Sequence, residues 1–141
     1  MEIQLKRLHP NAILPVYAHD TDAGMDLYAA TTMVVAPSGR VLVPTGVAMA
    51  IPEGYVGLVW DKSGVVTKTG LTTLAGVIDA GYRGEIKIAL YNSDTQTQTV
   101  TAGQKIAQLL IQPIVQGTLI EVNELSATVR GAGGFGSTGL K

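Results

Sequence analysis

Two residues at a short turn are the first candidates for chemistry in this sequence. Asp79 and Tyr82 flank the pair Ala80-Gly81 within residues 76–85, so one carboxylate and one aromatic ring stand at the mouth of a predicted hairpin. Taken alone, an Asp beside such a turn more often bonds its own backbone. The functional interpretation of Asp79 therefore depends on the rest of the chain.

A second candidate is a turn that could bind phosphate. Asp61-Lys62-Ser63-Gly64 supplies one cation, one hydroxyl and one unhindered backbone N–H. Such a turn suits phosphate oxygens, because its amides form an anion-binding concavity and the lysine adds a point charge. A solvated turn with a surface lysine is the alternative.

The C-terminal segment is the third candidate. Residues 130–139 contain five glycines and the only Phe of the protein, Phe135. We expect this segment to fold over a ligand, with Phe135 stacking on a flat ring while Arg130, Ser137 and the glycine amides contact anionic oxygens. A Walker-type phosphate loop is rejected, because Ser137 follows Gly136 where that motif requires Lys. A disordered tail is the alternative.

Two polar residues also interrupt apolar segments. Asp26 lies in the mostly apolar residues 25–30, where a carboxylate either bonds local backbone or serves a bound ion. Gln108 interrupts the apolar residues 105–111, and it must find partners if it is buried or face a site. Both residues are therefore further candidates.

The elements that position these residues are predicted to be strands. Polar and apolar residues alternate over 2–8 and 85–92, which is the period of a half-buried strand. One short helical turn is expected over 63–69, and residues 77–78 and the chain from 82 onward should form the two strands of the hairpin. Further short strands are predicted at 33–35, 40–43, 47–51, 55–60 and 105–111.

The fold class predicted from these elements is all-β. The 17 glycines and 6 prolines are spread between the short strands, which is typical of a sandwich or a jelly roll. Residues 1–129 are expected to form one jelly-roll domain, and residues 130–141 a flexible glycine-rich lid. No internal repeat or domain linker is evident.

Composition excludes several classes of partner. The chain has 141 residues, 46% of them hydrophobic, and no apolar stretch approaches the length of a membrane span. The net charge of −1 provides no positive field to hold a nucleic-acid polymer. The absence of cysteine fits a reducing compartment. We therefore expect a soluble cytoplasmic protein with neither a membrane nor a nucleic-acid polymer as partner.

Five motifs occur in a recognisable order. They are Ala23-Gly24-Met25-Asp26-Leu27, Lys62-Ser63-Gly64, residues 76–85, Lys105-Ile106-Ala107-Gln108-Leu109 and residues 130–139. This set resembles the ordered motifs of the trimeric dUTPases, the deoxyuridine triphosphate nucleotidohydrolases. The resemblance implies a homotrimer of jelly-roll subunits whose active sites lie between chains and hydrolyse dUTP to dUMP and pyrophosphate with Mg²⁺.

The resemblance also assigns roles to the candidate residues. Asp79 matches the catalytic acid that activates the attacking water, and Tyr82 matches the residue whose ring lies against the deoxyribose. The backbone from Gly76 through Asp79 matches the part that recognises uracil. The full substrate-binding set implied by the resemblance is Lys62, Ser63, Gly64, Thr73, Gly76, Val77, Ile78, Tyr82, Lys87, Gln108, Arg130, Phe135, Gly136 and Ser137.

Several of these positions carry finer expectations. Ser63 and Gly64 match phosphate-binding residues, and Asp26 and Gln108 match positions near the metal and the water network, with Asp26 contacting Mg²⁺ only through water. Arg130 would meet the γ-phosphate. The tail would place Phe135, Gly136 and Ser137 against uracil and phosphate as a lid.

Three departures from the family pattern affect these expectations. Lys62 stands where many members have Arg, which removes bidentate geometry at that phosphate. Met25 replaces an aromatic or other apolar residue, which we interpret as a change in packing. Thr73 falls near a position that is Asn in some members, so the sequence does not decide whether this position makes the corresponding contact with uracil.

Two other functions remain to be weighed against dUTP hydrolysis. Deoxycytidine triphosphate deaminases have a motif similar to the third motif of this chain. Their chemistry, however, needs a carboxylate on the strand after the hairpin, where this chain has Ala89. A nucleotide-binding relative without turnover is the second alternative. Asp79, Tyr82, Gln108 and the tail argue against that alternative.

Overall fold

The computed structural model describes residues 1–134, and the fold is all-β, as predicted. Within those residues the chain forms ten strands and one seven-residue helix, and none of the described helical segments is long and apolar enough to cross a membrane. The strands are β1 (Gln4–Arg7), β2 (Gly24–Tyr28), β3 (Met33–Val35), β4 (Arg40–Ala50), β5 (Tyr55–Trp60), β6 (Leu71–Leu74), β7 (Val77–Ile78), β8 (Glu85–Asn92), β9 (Gln98–Val100) and β10 (Lys105–Pro113), and the helix α1 spans Ser63–Thr69.

Two four-stranded antiparallel sheets form most of the fold. The first sheet has the strand order β1-β4-β8-β6, the second sheet has the order β2-β10-β5-β7, and β3 pairs only with β9. One hydrophobic core draws on both sheets. It includes Ile88 of the first sheet and Leu27 and Leu109 of the second, each no more than 1% exposed. The sheets are thus held together by apolar burial from both sides.

Strand β8 lies inside the first sheet, between β4 and β6, and has the alternation that the sequence predicts. Ile86, Ile88 and Leu90 are buried, whereas Lys87 between them is exposed. Because successive side chains of a strand point to opposite faces, one face of β8 joins the core and the other is left for the surface. This placement brings Lys87 to the outer face.

The predicted hairpin around Asp79 is wrong in its strand pairing. A turn does exist, because the N–H of Tyr82 donates to the carbonyl of Asp79 at 3.0 Å. However, β7 pairs with β5 of the second sheet, whereas β8 pairs with β4 and β6 of the first sheet. The return strand also begins at Glu85 and not at Tyr82. Residues 76–85 therefore connect two sheets.

The structure also differs from the sequence prediction in the bounds of other strands. Strand β4 is continuous over eleven residues, although the sequence predicts two strands separated at Pro44. Its pairing with β8 shifts register between Pro44 and Ala48, and Gly46 takes a φ of 69° there, so a bulge accommodates the proline. Strand β6 was missed, and all four residues of β1 are exposed in contrast to the half-buried strand that alternation predicts. The helix over 63–69 is confirmed.

The chain after β10 has no helix or strand in the described residues 114–134. Several of its apolar side chains are almost fully exposed, with Val115 and Leu119 at 96% and Leu125 at 89%. Such a run of exposed apolar side chains is unusual for a monomeric surface. We call residues 114–129 the C-terminal arm.

Candidate functional site

An open cleft of about 430 Å³ lies where β7 and β8 belong to different sheets. Its lining includes parts of both strands and the turn between them. Six of the predicted site residues line it, namely Gly76, Val77, Ile78, Asp79, Tyr82 and Lys87. The third motif and the start of β8 are therefore brought together in one concave surface.

One wall of the cleft is a strand edge. Strand β7 is the last strand of the second sheet, so one side of its backbone faces no neighbouring strand of that sheet. The bend that leads into β7 requires glycine at position 76, where φ is 120° and an added Cβ would lie 2.7 Å from the carbonyl oxygen of Val59. The N–H of Val59 also donates to the carbonyl of Gly76 at 2.8 Å. The edge backbone is thus fixed at the cleft.

The aromatic ring of the cleft is held by its own turn. The hydroxyl of Tyr82 donates to the carbonyl of Glu85 at 2.9 Å. The ring lies over Gly84, where an added Cβ would be 2.6 Å from the ring carbon Cζ. Asp79 is exposed at the opposite end of the turn. Gly84 was missed by the sequence analysis, although a glycine two residues after Tyr82 was a visible signal.

The wall opposite β7 is anchored to the bulge of β4. The carboxylate of Glu85 accepts from the N–H of Gly46 at 2.8 Å, and the hydroxyl of Thr45 donates to the carbonyl of Ile86 at 2.6 Å. The ammonium of Lys87 lies 3.7 Å from the Glu85 carboxylate. These contacts fix the start of β8, and with it the position of Lys87.

A second group of predicted residues surrounds a buried carboxylate. Asp26 is only 3% exposed, and each of its oxygens lies 2.6 Å from an ammonium group, Oδ1 from Lys62 and Oδ2 from Lys105. We call Asp26, Lys62 and Lys105 the lysine cluster. The charge partners of Asp26 are therefore two lysines; Lys62 donates a hydrogen bond to Oδ1, whereas Lys105 meets the buried Oδ2 as an ion pair without hydrogen-bond geometry. Lys105 was missed as a candidate, because it was seen only as the first residue of a strand.

The lysines determine the ionisation of this carboxylate. Burial on its own would raise the pKa of Asp26, but the contacts and charges of Lys105 and Lys62 outweigh burial and hold that pKa below its ordinary value. The same pairing raises the pKa of Lys105 above its ordinary value. Asp26 and Lys105 are therefore both ionised at neutral pH, and the formal charges of the cluster sum to one positive charge.

A second carboxylate, Asp61, organises the neighbouring residues. It accepts from the hydroxyl of Thr72 at 2.6 Å and from the N–H of Thr73 at 2.5 Å. Its carbonyl accepts from the side-chain amide of Gln108 at 2.9 Å. Burial would raise the pKa of Asp61, but these hydrogen bonds from Thr72 and Thr73 lower it overall. The predicted candidates Thr73 and Gln108 thus meet at one acid.

The two groups meet only in part, because Asp61 and Thr73 line a smaller neighbouring cavity together with Gly76 and Val77. Lys62, Ser63, Gly64, Asp26 and Gln108 do not line the cleft that contains Asp79. Ser63 and Gly64 are exposed at the start of α1.

The predicted residues of the tail lie apart from both groups or outside the described chain. Arg130 is exposed and its Nε donates to the carbonyl of Gly133 at 2.8 Å. Phe135, Gly136 and Ser137 lie outside the described residues.

The described part of the chain offers few side chains that could bind a metal ion directly. Residues 1–134 contain no group of three or more His, Cys, Asp and Glu side chains that could hold an ion. Asp26, the residue predicted to lie near the metal, has both oxygens paired with lysines. Only a contact through water would be compatible with this pairing.

The fold and the cleft define an all-β protein with an exposed carboxylate, an aromatic ring and free strand-edge backbone in one concave site. A family model described as dUTPase matches residues 10–139 of the chain. The chain belongs to the dUTPase family.

Relatives and solved structures agree with this assignment. A deoxyuridine 5'-triphosphate nucleotidohydrolase from Thermobifida fusca is 48% identical over 142 residues, covering 99% of this chain and 79% of the relative. One from Mycobacterium marinum is 51% identical, covering 94% of this chain and 92% of the relative. The structure of the Staphylococcus bacteriophage 80alpha dUTPase with dUpNHpp has a TM-score of 0.93 at 36% identity and covers 99% of both chains.

A further solved structure concerns a metal ion. It is a mutant dUTPase from phage phi11 of S. aureus, whose structure reveals the coordination of a structural Mg(II) ion, and it has a TM-score of 0.85 at 35% identity. The match covers 90% of this chain and 100% of the phage chain. The likeness supports the fold assignment over nearly the whole length.

Replacing Asp26 by Asn tests the lysine cluster. The pKa of Asp26 is lower in the folded than in the unfolded chain, so its ionisation stabilises the fold above the ordinary value of 3.8 and ceases to do so as pH falls through the folded pKa. At pH 7 we expect D26N to unfold with about 3 kcal/mol less free energy, the low end for a broken buried pair because both lysines stay partly solvated.

Urea unfolding from pH 7 to pH 2 measures this effect, with D20N at an exposed loop position as the control. The difference between wild type and D26N should shrink below pH 3.8. A difference that stays constant over the whole range would contradict the assignment.

Proposed function

We propose that this protein hydrolyses dUTP to dUMP and pyrophosphate. The observation that carries the proposal is the cleft, which places Asp79, Tyr82 and the edge backbone of β7 around one space. Membership in the dUTPase family and the likeness to a dUTPase structure that contains dUpNHpp support it. The activity would keep uracil out of DNA and supply dUMP for dTMP synthesis, and we place it in the cytoplasm.

Uracil would bind along the edge of β7. Backbone N–H and C=O groups from Gly76 to Ile78 present fixed donors and acceptors to a flat base, with Lys87 on the opposite wall. A narrow slot rejects the methyl group of thymine by bulk, and it rejects the amino group of cytosine because buried polar groups would be left unpaired. Thr73, next to this bend, would complete the uracil side.

Deoxyribose would lie against the ring of Tyr82. The bond to the Glu85 carbonyl and the contact with Gly84 fix that ring. A fixed ring leaves no room for a 2′-hydroxyl, so the site would distinguish dUTP from UTP by sterics. The selectivity therefore depends on how firmly Tyr82 is held.

Asp79 would activate the water that attacks the α-phosphorus. The water oxygen forms the new bond to phosphorus, its proton passes to the Asp79 carboxylate, and the bond from the α-phosphorus to the bridging oxygen breaks with its electron pair on pyrophosphate. A positioned general base of this kind contributes roughly 10²–10⁴-fold. The exposure of Asp79 suits the role, because water reaches the carboxylate directly.

Phosphate groups would be bound by the second group of residues. Lys62, Ser63, Gly64 and Gln108 offer a cation, a hydroxyl, a free backbone N–H and a side-chain amide that can neutralise charge on the departing pyrophosphate. Mg²⁺ is proposed to arrive with the triphosphate, where it orients the phosphates and offsets their charge. Asp26 would meet the ion only through water.

A homotrimer with shared active sites would bring the two groups together. Lys62, Ser63, Gly64 and Gln108 do not line the cleft that contains Asp79. The C-terminal arm carries apolar side chains that one chain leaves exposed, and a neighbouring copy would cover them. Residues 130–141 are proposed as a lid, in which Arg130 meets the γ-phosphate, Phe135 stacks on uracil, and Gly136 and Ser137 contact phosphate.

A substrate comparison tests the proposed reaction. Wild-type protein is incubated with dUTP, dCTP, dTTP and UTP in the presence of Mg²⁺, and released pyrophosphate and ammonia are measured. We expect pyrophosphate from dUTP and much slower release from the other three. Ammonia from dCTP would instead indicate a deaminase, against which Ala89 in the cleft lining already argues. Absence of any product would indicate binding without turnover.

Replacing Asp79 by Asn separates chemistry from binding. The amide keeps the size of the side chain but cannot accept the proton of water, so kcat should fall by about 10²-fold or more. The dissociation constant of a non-hydrolysable dUTP analogue should stay within a few-fold of wild type. Turnover at the wild-type rate would show that the base lies elsewhere.

Replacing Gly84 by Ala tests the role of the tyrosine ring. The added Cβ overlaps the ring of Tyr82, so the ring must move away from its bond to Glu85. We expect the preference for dUTP over UTP, measured as the ratio of kcat/KM, to fall by about tenfold. Gly81→Ala is the matched control, because no atom lies within 4 Å of its added Cβ. An unchanged ratio in G84A would remove Tyr82 from sugar selection.

A further inference from the structure

We propose that Asp61 is the positioning residue of the phosphate-binding turn, a role that rests on the proposed function. It lies directly before Lys62-Ser63-Gly64 and after the last residue of β5. Its contacts extend to β6 and β10, and each contact restrains a different part of the proposed phosphate-binding site.

The side chain of Asp61 joins the two sheets. Strand β5 belongs to the second sheet and β6 to the first. The carboxylate accepts from the hydroxyl of Thr72 through Oδ2 and from the N–H of Thr73 through Oδ1. The Thr73 N–H can only donate, and here the Thr72 hydroxyl donates as well, so both bonds are made to an ionised carboxylate. An asparagine keeps both contacts only by reversing the bond to the Thr72 hydroxyl, and it loses the charge that strengthens them.

The backbone of Asp61 restrains Gln108. The side-chain amide of Gln108 donates to the Asp61 carbonyl at 2.9 Å. On its other side the same side chain is packed against β2, where a Cβ added to Gly24 would lie 2.8 Å from Gln108 Oε1. The amide therefore has one orientation, and that orientation requires the Asp61 carbonyl to stay in place.

The residues that follow Asp61 are held from the other end as well. The ammonium of Lys62 is paired with Asp26, and the carbonyl of Lys62 accepts from the N–H of Val65 at 2.8 Å. Val65 is the buried residue of α1. The exposed pair Ser63-Gly64 therefore lies between a sheet-to-sheet anchor and a core anchor, and it needs little ordering when phosphate binds.

Loss of the Asp61 carboxylate should release this turn far more than it affects the cleft, because the bond from the N–H of Val59 to the carbonyl of Gly76 holds the edge backbone of β7 independently of Asp61. The consequence is specific to ligands that carry phosphates. We expect D61N to weaken binding of a non-hydrolysable dUTP analogue by about tenfold or more and to lower kcat/KM for Mg-dUTP by a similar factor. Binding of deoxyuridine, which has no phosphate, should stay within about twofold, because only its proposed contact with Thr73 depends on Asp61.

Variants of the threonine partner provide a rescue series. Thr72→Val removes the donor and leaves one carboxylate oxygen unpaired, so it should reproduce part of the loss seen in D61N. Thr72→Ser keeps the hydroxyl and should retain wild-type binding of the analogue. If Thr72 only supported the fold, T72V would weaken binding of the dUTP analogue and of deoxyuridine to the same extent.

Asp94→Ala is the matched control. Asp94 also accepts from a backbone N–H and a threonine hydroxyl, those of Gln96 and Thr95, but both lie within its own turn. It removes the same charge as D61N and should leave both affinities unchanged. Urea unfolding of each variant at one protein concentration then separates lost stability from lost positioning.

Each combination of results has one meaning. Weaker analogue binding in D61N and T72V, with wild-type behaviour in T72S and D94A and unchanged deoxyuridine binding, supports the proposal. Unchanged analogue binding in D61N, or an equal loss for deoxyuridine, overturns it while an active wild type keeps the proposed function. A wild type that releases no pyrophosphate from dUTP would overturn the proposed function, and this proposal with it.

Discussion

The cleft exists because the chain leaves one sheet and returns to it within a few residues. Strand β6 belongs to the first sheet, β7 to the edge of the second, and β8 to the interior of the first. Burial of Ile86 and Ile88 fixes β8 in the core, and pairing with β5 fixes β7. The turn that carries Asp79 and Tyr82 must therefore span the boundary between two sheets. The space between their edges is the cleft.

Two carboxylates, Asp26 and Asp61, organise the residues that are proposed to bind phosphate. Asp26 gathers Lys62 and Lys105 around one buried charge, and Asp61 ties the end of β5 to β6. Both pKa values are lowered by these partners, so both groups stay ionised at neutral pH. Hydrogen bonds and ion pairs thus position the residues that are proposed to bind phosphate, whereas strand pairing and apolar packing position the residues of the cleft. Lys62 provides a single point charge, without the planar two-donor geometry of an arginine. Together with Lys105 it gives the lysine cluster a formal charge of one positive, which would favour an anionic ligand.

Much of the fold could be predicted from local patterns, because alternation is a property of the strand itself. Strands β5 and β8 and the helix α1 occur where the sequence predicts them. The partner of β7 could not be predicted, because strand pairing is decided by distant residues of β5. Lys105 was missed for the same reason, since its importance arises only from its contact with the distant Asp26. Gly84 was missed although its contact with Tyr82 is local. The cleft residues Gly76 to Tyr82 could be named in advance through the five ordered motifs, whereas nothing in residues 61–64 indicates that β6 will approach Asp61.

In the proposed homotrimer, one active site combines the cleft of one chain with the phosphate-binding residues Lys62, Ser63, Gly64 and Gln108 of another chain. Mixing two inactive variants, Asp79→Asn and Gln108→Ala, and letting their chains exchange tests it directly, with dUTP hydrolysis as the readout. If sites are shared, some mixed sites contain an intact Asp79 and an intact Gln108, and activity should return to about a quarter of wild type for random mixing. If the mixture stays as inactive as either variant although exchange is shown by mass, each site is built within a single chain and the account is wrong.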